Sequence, residues 1–347
     1  MENAGRRYGT HRVVEPKGTL PQAAWKVDNS LPIDPSEILI EVEMLNIDAA
    51  SFTQMKEAAG GDPDGIARII MDTVENRGKQ HNPVTGSGGM LVGKVAMKGA
   101  EYDGPIEAAV GDRIATLVSL SLTPLKIRRI KKVFIDRDQV EIEGHAILFS
   151  SGIGERLPDD FPRDAALAAL DVAGAPAQVY RLVRPGMDVG IIGTGKSGLL
   201  CAAAARKVLG NSGRVFGVVH QQSIIDEVSK YGYFDELILA DATNPVDVFE
   251  RINRLTGGRL LDVTINTTNV KSTEMATVLS TRDEGIAYFF NMATSFTAAA
   301  LGAEGAGKDV TLLIGNGYAP GHARATLDLI RSDDKLMSLF GAKYSNG

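Results

Sequence analysis

The chain has 347 residues, room for two cores, and an apolar share of 44% against a charged share of 23% marks an ordinary globular protein. A net charge of −6 excludes nucleic acid as the main partner, since phosphate binding needs clustered Lys and Arg, and no apolar run approaches the roughly 20 residues of a membrane span. One cysteine, Cys201, allows neither an internal disulfide nor a multi-cysteine zinc site; with a polar start, Met1 to Gly9, that does not read as a signal peptide, the expectation is a cytoplasmic protein.

The first half is β-rich. Ile38, Ile40, Val42 and Met44 alternate with Glu41 and Glu43, the two-residue period of a half-buried strand. A helix interrupts the strands: Asp62 can cap it, Pro63 suits its first position, and Ile66, Ile69, Ile70, Thr73 and Val74 follow at helical spacing. Further strands are expected over Met90–Met97, Arg113–Val118 and Val140–Phe149, while the basic cluster Lys126 to Lys132 reads as a solvated face.

The second half alternates strand and helix. Asp188–Ile192, Val215–Val219, Glu236–Ala240, Leu261–Ile265, Ile286–Asn291 and Val310–Gly315 are short apolar runs, with helical patterns at Ser197–Leu209 and, capped by Asn244, at Pro245–Thr256. Strands buried on both faces and joined by helices form a parallel, doubly wound α/β sheet. His322–Arg331 and Asp334–Phe340 read as closing helices.

Val189-Gly-Ile-Ile-Gly193-Thr-Gly195-Lys-Ser-Gly198 is a strand, a G-x-G-x-x-G turn and the start of a helix. Gly193 makes the turn, Gly195 lets a pyrophosphate approach the backbone, and Gly198 lets helix pack on strand. The peptide N–H groups at the helix N-terminus favour an anion, so Gly193, Thr194, Gly195, Lys196, Ser197 and Gly198 are the expected dinucleotide seat. The motif alone is a weak signal; the strand before it and the βαβ series after it give it weight. NAD enzymes carry an acid at the end of the second strand, and here His220, Gln221 and Gln222 stand there. His220 can accompany a 2′-phosphate or simply close the strand in solvent, so NAD and NADP both remain open.

The layout resembles the medium-chain dehydrogenase/reductase superfamily, with Val110-Gly-Asp-Arg-Ile114 and Pro83-Val-Thr-Gly86 matching its strand start and cleft segment. More closely, the chain resembles the L-erythro-3,5-diaminohexanoate dehydrogenases of lysine fermentation. The matching blocks include Tyr8-Gly-Thr-His-Arg-Val13, Asn82-Pro-Val-Thr-Gly-Ser-Gly-Gly-Met90, the Ala-rich run Ala165–Gln178 and Met292-Ala-Thr-Ser-Phe-Thr297. The resemblance implies a GroES-like, β-rich catalytic domain over 1–170 and 316–347, and a Rossmann domain over 171–315. It also implies NAD(P)-dependent oxidative deamination at C3, giving 5-amino-3-oxohexanoate and ammonium.

Laid on the zinc-dependent members of that superfamily, Asp48 falls at the first cysteine, Ser87 near the histidine and Asp171 near the last ligand. Asp, Ser and Asp make a poor zinc site, so the resemblance implies a metal-free enzyme. An amine substrate suits acids there: a carboxylate holds the ammonium as counter-ion and then takes its proton. Asp48 and Asp171 are thus the expected ligands of the substrate ammonium groups, with one of them serving as base. Each also reads as a cap, Asp48 in Asn46-Ile-Asp-Ala-Ala50 and Asp171 for the helix after Leu170. Glu304, in a Gly- and Ala-rich loop, can hold the second amine or lie in solvent. Met292, Ala293 and Thr294, with Gly315 and Asn316, follow strand ends where an open α/β sheet places its ligand, and their backbone groups are expected at the nicotinamide carboxamide. Arg12 and Lys94 are both available to the substrate carboxylate. His11 reads as a packed histidine or a proton relay, and Cys201 as core.

Two other functions remain open on sequence alone: a zinc-free NADPH-dependent quinone or enone reductase, and a sensor that binds dinucleotide without turnover. The last strand, Val310–Ile314, suits edge-to-edge pairing, so a homodimer or larger homo-oligomer is expected.

Overall fold

Alternating burial builds the first sheet. In the computed structural model, which describes residues 2–159, 161–291, 293–315 and 318–344, the chain divides into one unit of Met1–Asp171 with Lys343–Gly347 and a second of Val172–Ala342. The first unit starts with Glu2–Arg7 (α1) and the short antiparallel pair Val13–Glu15 (β1) and Lys26–Val27 (β2). Ile38–Ile47 (β3) buries Ile38, Ile40 and Val42 while Glu41 faces solvent. Ala49–Ala58 (α2) and Pro63–Arg77 (α3) follow. Asp62 caps α3 as expected, its carboxylate accepting the Asp64 and Gly65 N–H groups, and Ile66, Ile70 and Val74 bury one face of the helix in the sheet's core.

Gly89–Lys98 (β4), Arg113–Thr116 (β5), Leu125–Phe134 (β6), Gln139–Leu148 (β7) and Gly154–Arg156 (β8) complete a six-stranded sheet in the order β6-β7-β3-β4-β5-β8, antiparallel throughout. The basic run from Lys126 is solvated because it is the outer face of edge strand β6. Leu125 and Ile127 are buried, and Lys126, Arg128 and Arg129 charge an edge that would otherwise invite another strand. Arg163–Leu170 (α4) ends the unit with every residue from Ala165 to Leu170 buried.

In the second unit, Gly174–Leu182 (α5) leads into Asp188–Ile192 (β9), Lys196–Leu209 (α6), Arg214–Val219 (β10), Gln222–Val228 (α7), Glu236–Leu239 (β11) and Pro245–Leu255 (α8). Leu261–Asn266 (β12), Glu274–Ser280 (α9), Thr281–Phe289 (β13), Phe296–Gly305 (α10) and Thr311–Ile314 (β14) complete the series. The sheet is parallel, in the order β11-β10-β9-β12-β13-β14, so strand order reverses between β9 and β12. All five residues of β9 are buried, the mark of a strand covered on both faces.

The chain's last helices, His322–Arg331 (α11) and Asp334–Tyr344 (α12), correct one expectation. The described residues between 318 and 342 belong with the second unit and do not return to the first. The cause is packing: α11 buries Ala323, Thr326, Leu327 and Ile330 against α5 and α6, and Thr326 Oγ1 donates to the Ala173 carbonyl at 3.2 Å. No helix among the described residues is long and apolar enough to cross a membrane.

Candidate functional site

β9 runs straight into the glycine turn. Gly193 has φ 88°, and a Cβ there would lie 3.0 Å from Thr268 Cβ, while one at Gly198 would lie 2.0 Å from the Gly193 carbonyl oxygen. The chain's own packing therefore demands both glycines. Gly195 differs: a Cβ there meets nothing within 4 Å, so only something lying against the backbone from outside would require its absence. Gly195 also stands at the cap of α6, where no side chain caps the helix and no acid occupies the first turn. The positive end of a 14-residue helix thus faces the turn, with no acid in the helix's own first turn to offset it. These residues fit a dinucleotide pyrophosphate. Thr194 is buried, and Lys196 and Ser197 are half-exposed.

His220 and Gln221 follow β10 and are exposed. Asp241, which sequence reasoning missed, comes from the end of the neighbouring strand β11. Hydrogen bonds from the Thr243 N–H and hydroxyl, both 2.8 Å, hold its carboxyl below the usual range, and the charge of His220 adds to this. Ala293, Thr294 and Gly315 lie beyond the ends of β13 and β14 and are half-exposed; Met292 and Asn316 lie outside the described residues. Thr294 Oγ1 donates to Asn291 Oδ1 at 3.1 Å. Glu304 is exposed, in the last turn of α10 and not in a loop; Ser295 starts that helix by accepting the Ala298 N–H.

In the first unit, Asp48 and Ser87 are brought together. Asp48 caps α2, its Oδ1 accepting the N–H groups of Ala50 (3.0 Å) and Ser51 (3.3 Å), and the same oxygen accepts the Ser87 hydroxyl at 2.9 Å. Among the described residues no hydrogen bond falls on Oδ2. Ser51 and Thr85, also missed from sequence, extend the cluster: Ser51 Oγ lies 2.5 Å from both Thr85 Oγ1 and Ser87 Oγ. Gly89 makes this approach possible, at φ 107° with a would-be Cβ only 2.1 Å from the Asn46 carbonyl and 2.8 Å from the Asp48 nitrogen. A side chain there would push the Ser87 loop off the Asp48 turn. The signal for Ser51 was present, three residues after a capping Asp, as was Thr85 in the unusual Asn82–Met90 block.

Asp171 is exposed and stands at the C-terminal end of α4, not at the start of the next helix, whose cap is Ala173. Arg12 is not available to a substrate. Its Nε and Nη2 donate to Glu37 Oε1 and Oε2 at 2.8 and 2.7 Å, and Nη1 donates to the Ser30 carbonyl at 2.7 Å. His11, exposed, bonds the same Glu37 through Nε2 at 2.8 Å. Burial pushes the Glu37 carboxyl up, but hydrogen bonds from His11, Arg12 and the Asp34 N–H outweigh it and hold the group below its ordinary value. Lys94 is exposed on β4. Cys201 is fully buried in α6, and burial pushes its thiol well up, so it is core. Among the described residues no three His, Cys, Asp or Glu side chains converge as a metal site.

Residues 11–158 match a family model described as the L-erythro-3,5-diaminohexanoate dehydrogenase N-terminal domain. The chain is 52% identical over 341 residues to L-erythro-3,5-diaminohexanoate dehydrogenase of Acetoanaerobium sticklandii, covering 98% of this chain and 99% of that protein. The chain belongs to the L-erythro-3,5-diaminohexanoate dehydrogenase family. The protein of that name from Fusobacterium nucleatum is 51% identical over 344 residues, again covering 98% of this chain and 99% of the relative. Solved structures give this family member its fold. A mycobacterial protein solved with NADPH superposes with TM-score 0.58 at 17% identity, covering 96% of each chain. An alcohol dehydrogenase of Thermotoga maritima gives 0.54 at 14%, covering 89% of this chain and 85% of that one. Escherichia coli quinone oxidoreductase gives 0.52 at 15%, covering 91% and 83%. The fold is that of the medium-chain dehydrogenase/reductases, a GroES-like β-rich unit with a Rossmann unit, and the chain is an oxidoreductase of the dehydrogenase type.

Proposed function

We propose that this dehydrogenase oxidises L-erythro-3,5-diaminohexanoate at C3, giving 5-amino-3-oxohexanoate, ammonium and a reduced nicotinamide dinucleotide. The observation that carries the reading is the end-to-end relation, 52% identity over 98% of the chain, to a protein named for that substrate. The glycine turn supports the cofactor: backbone N–H groups at the start of α6 hold the pyrophosphate of NAD or NADP, with Gly195 leaving the space it needs. When bound, the nicotinamide supplies a hydride acceptor.

The chain's own residues handle the nitrogen. Asp48 has Oδ1 saturated by three donors, which fixes the carboxylate's orientation and leaves Oδ2 for a substrate ammonium. Asp48 first holds the C3 ammonium as counter-ion, then takes one of its protons. The freed lone pair forms the C3=N bond as the C3–H bond breaks and hydride leaves. Water adds to C3, the C–N bond breaks, and nitrogen departs as ammonium. Asp171 takes a second ammonium contact or the base role in a variant of the same scheme, and Glu304 the second amine. Ser87 aligns Asp48. No step calls for a metal, because the charge to be managed is a departing proton and not a developing alkoxide.

The same reading takes β14, at the edge of its sheet, as the strand that pairs with a second copy, with exposed Leu301 and Ile314 beside that edge. It takes the compartment as cytoplasmic, in keeping with a lone buried thiol. The test follows the absorbance of the reduced nicotinamide. Reduction of NAD or NADP with 3,5-diaminohexanoate, and none without it, is expected. Oxidation of NADPH by quinones or enones without reaction of the diamine would overturn the reading.

A further inference from the structure

Asn266, the last residue of β12, is fully buried and has its side-chain amide engaged at both ends. Its Nδ2 donates to Thr273 Oγ1 and Thr277 Oγ1, both at 2.9 Å. Its Oδ1 accepts from the Thr268 N–H at 3.2 Å and from Asn291 Nδ2 at 2.9 Å. The strand order makes this position a hub. β12 lies between β9 and β13, and Asn266 pairs in register with Ile192, which precedes the glycine turn, and with Phe289, which precedes the loop carrying Asn291 and Thr294. On the turn side, Thr267 Oγ1 donates to the Gly193 carbonyl at 2.8 Å, and Thr268 fills the space a Cβ on Gly193 would need.

The bonds also have a direction. Thr277 Oγ1 gives its proton to the Thr273 carbonyl at 3.1 Å, so it meets Asn266 as an acceptor and obliges Asn266 to present its NH2 there. Asn266 then presents its oxygen to Asn291, Asn291 presents its own oxygen to Thr294, and the Thr294 proton is committed to it at 3.1 Å. What remains on Thr294 Oγ1 is lone pairs. Such a group recognises a hydrogen-bond donor and rejects an acceptor.

We infer that Asn266 is a positioning residue that ties the phosphate turn to the loop after β13, and that through Asn291 it sets Thr294 as the acceptor for the carboxamide NH2 of the nicotinamide. The inference rests on the dinucleotide reading of the Gly193–Gly198 turn. It goes further by naming a side chain, a polarity and the atom recognised. The acceptor matters because the carboxamide fixes which face and which end of the ring is offered to the substrate.

The test is equilibrium binding, with no turnover required. The ligands are the reduced dinucleotide that the parent binds more tightly, NADH or NADPH, its 3-acetylpyridine counterpart, in which a methyl replaces the NH2, and the matching ADP-ribose. The parent is expected to favour the natural cofactor over the analogue by about fivefold or more, the worth of one hydrogen bond. Thr294→Val should bring that ratio to about one, and Thr294→Ser should restore it. Asn291→Ala, which frees the Thr294 proton, should lower it, as should Asn266→Ala, while ADP-ribose affinity stays within about twofold in the Thr294 and Asn291 variants. A parent that binds ADP-ribose and dinucleotide but ignores the methyl overturns this inference alone, as does a ratio that survives Thr294→Val. A parent that binds none of the three ligands overturns the cofactor reading itself, and this inference with it.

Discussion

Glu37 and Asp48 stand at the two ends of one strand, β3, and face opposite fates. Glu37 is fully buried, and both its oxygens are occupied by Arg12, His11 and a backbone N–H. Asp48 is half-exposed, has no cation among its described partners, and spends a single oxygen on two backbone N–H groups and one hydroxyl. A carboxylate with every lone pair satisfied by its own chain serves the fold; one held in place by half its capacity is poised for an outside cation. A like distinction separates Gly198, which the chain's own packing requires, from Gly195, where a Cβ would meet nothing of the chain within 4 Å.

The sharpest way to break the comparison is to neutralise each acid. Asp48→Asn should lower turnover with the diamine by two to three orders of magnitude, about what loss of a general base costs, while denaturation midpoints and ADP-ribose binding hold. Asp171→Asn should also lower turnover. Glu37→Gln should do the reverse: a loss of about 3–5 kcal/mol in urea unfolding, because Arg12 is left buried without its counter-charge, with turnover per folded molecule close to the parent's. Ser87→Ala removes one of the donors on Asp48 Oδ1 and should cost about tenfold in turnover, or ~1.4 kcal/mol, close to the lower end of what a hydrogen bond to a charged group contributes.

The smallest effect is on pH. Burial, with the charges of Lys79 and Arg77, lowers His81 from 6.5 to about 4. Between those values the unfolded chain binds more protons than the folded one, so stability should rise as pH rises from about 4 to 6.5. Glu37 adds the same sign at the acid end: its carboxyl is depressed, so the stability it contributes is present above its unfolded value and lost as pH falls through the folded one. His81→Asn should flatten part of that slope in urea midpoints measured across this window.

Much of this was legible in the sequence where the cause is local. Asp62 and Asn244 cap the helices they were expected to cap, and the strand, turn and helix around Gly193 follow from glycine spacing and an apolar run. What depends on strand order was not. Lys126 to Lys132 looked like a charged surface because an edge strand's outer face is one, and only pairing with β7 reveals the strand. Arg12 looked free for a carboxylate because nothing near it in sequence announces Glu37. Asn266 was invisible for a like reason: three of its partners follow it closely in the chain, but Asn291 reaches it from the loop after the neighbouring strand, which only the fold makes adjacent. The Asp48–Ser87 contact was half-legible, as two positions singled out separately and joined by a loop that Gly89 lets close.

The central claim is that hydride leaves the amine-bearing C3, and one isotope measurement tests it directly. The protein is given 3,5-diaminohexanoate carrying deuterium at C3, and the reduced cofactor and the released ammonium are both quantified. The account predicts one deuterium in each reduced nicotinamide and one ammonium for each cofactor reduced. Unlabelled reduced cofactor, or reduction without ammonium release, would contradict it.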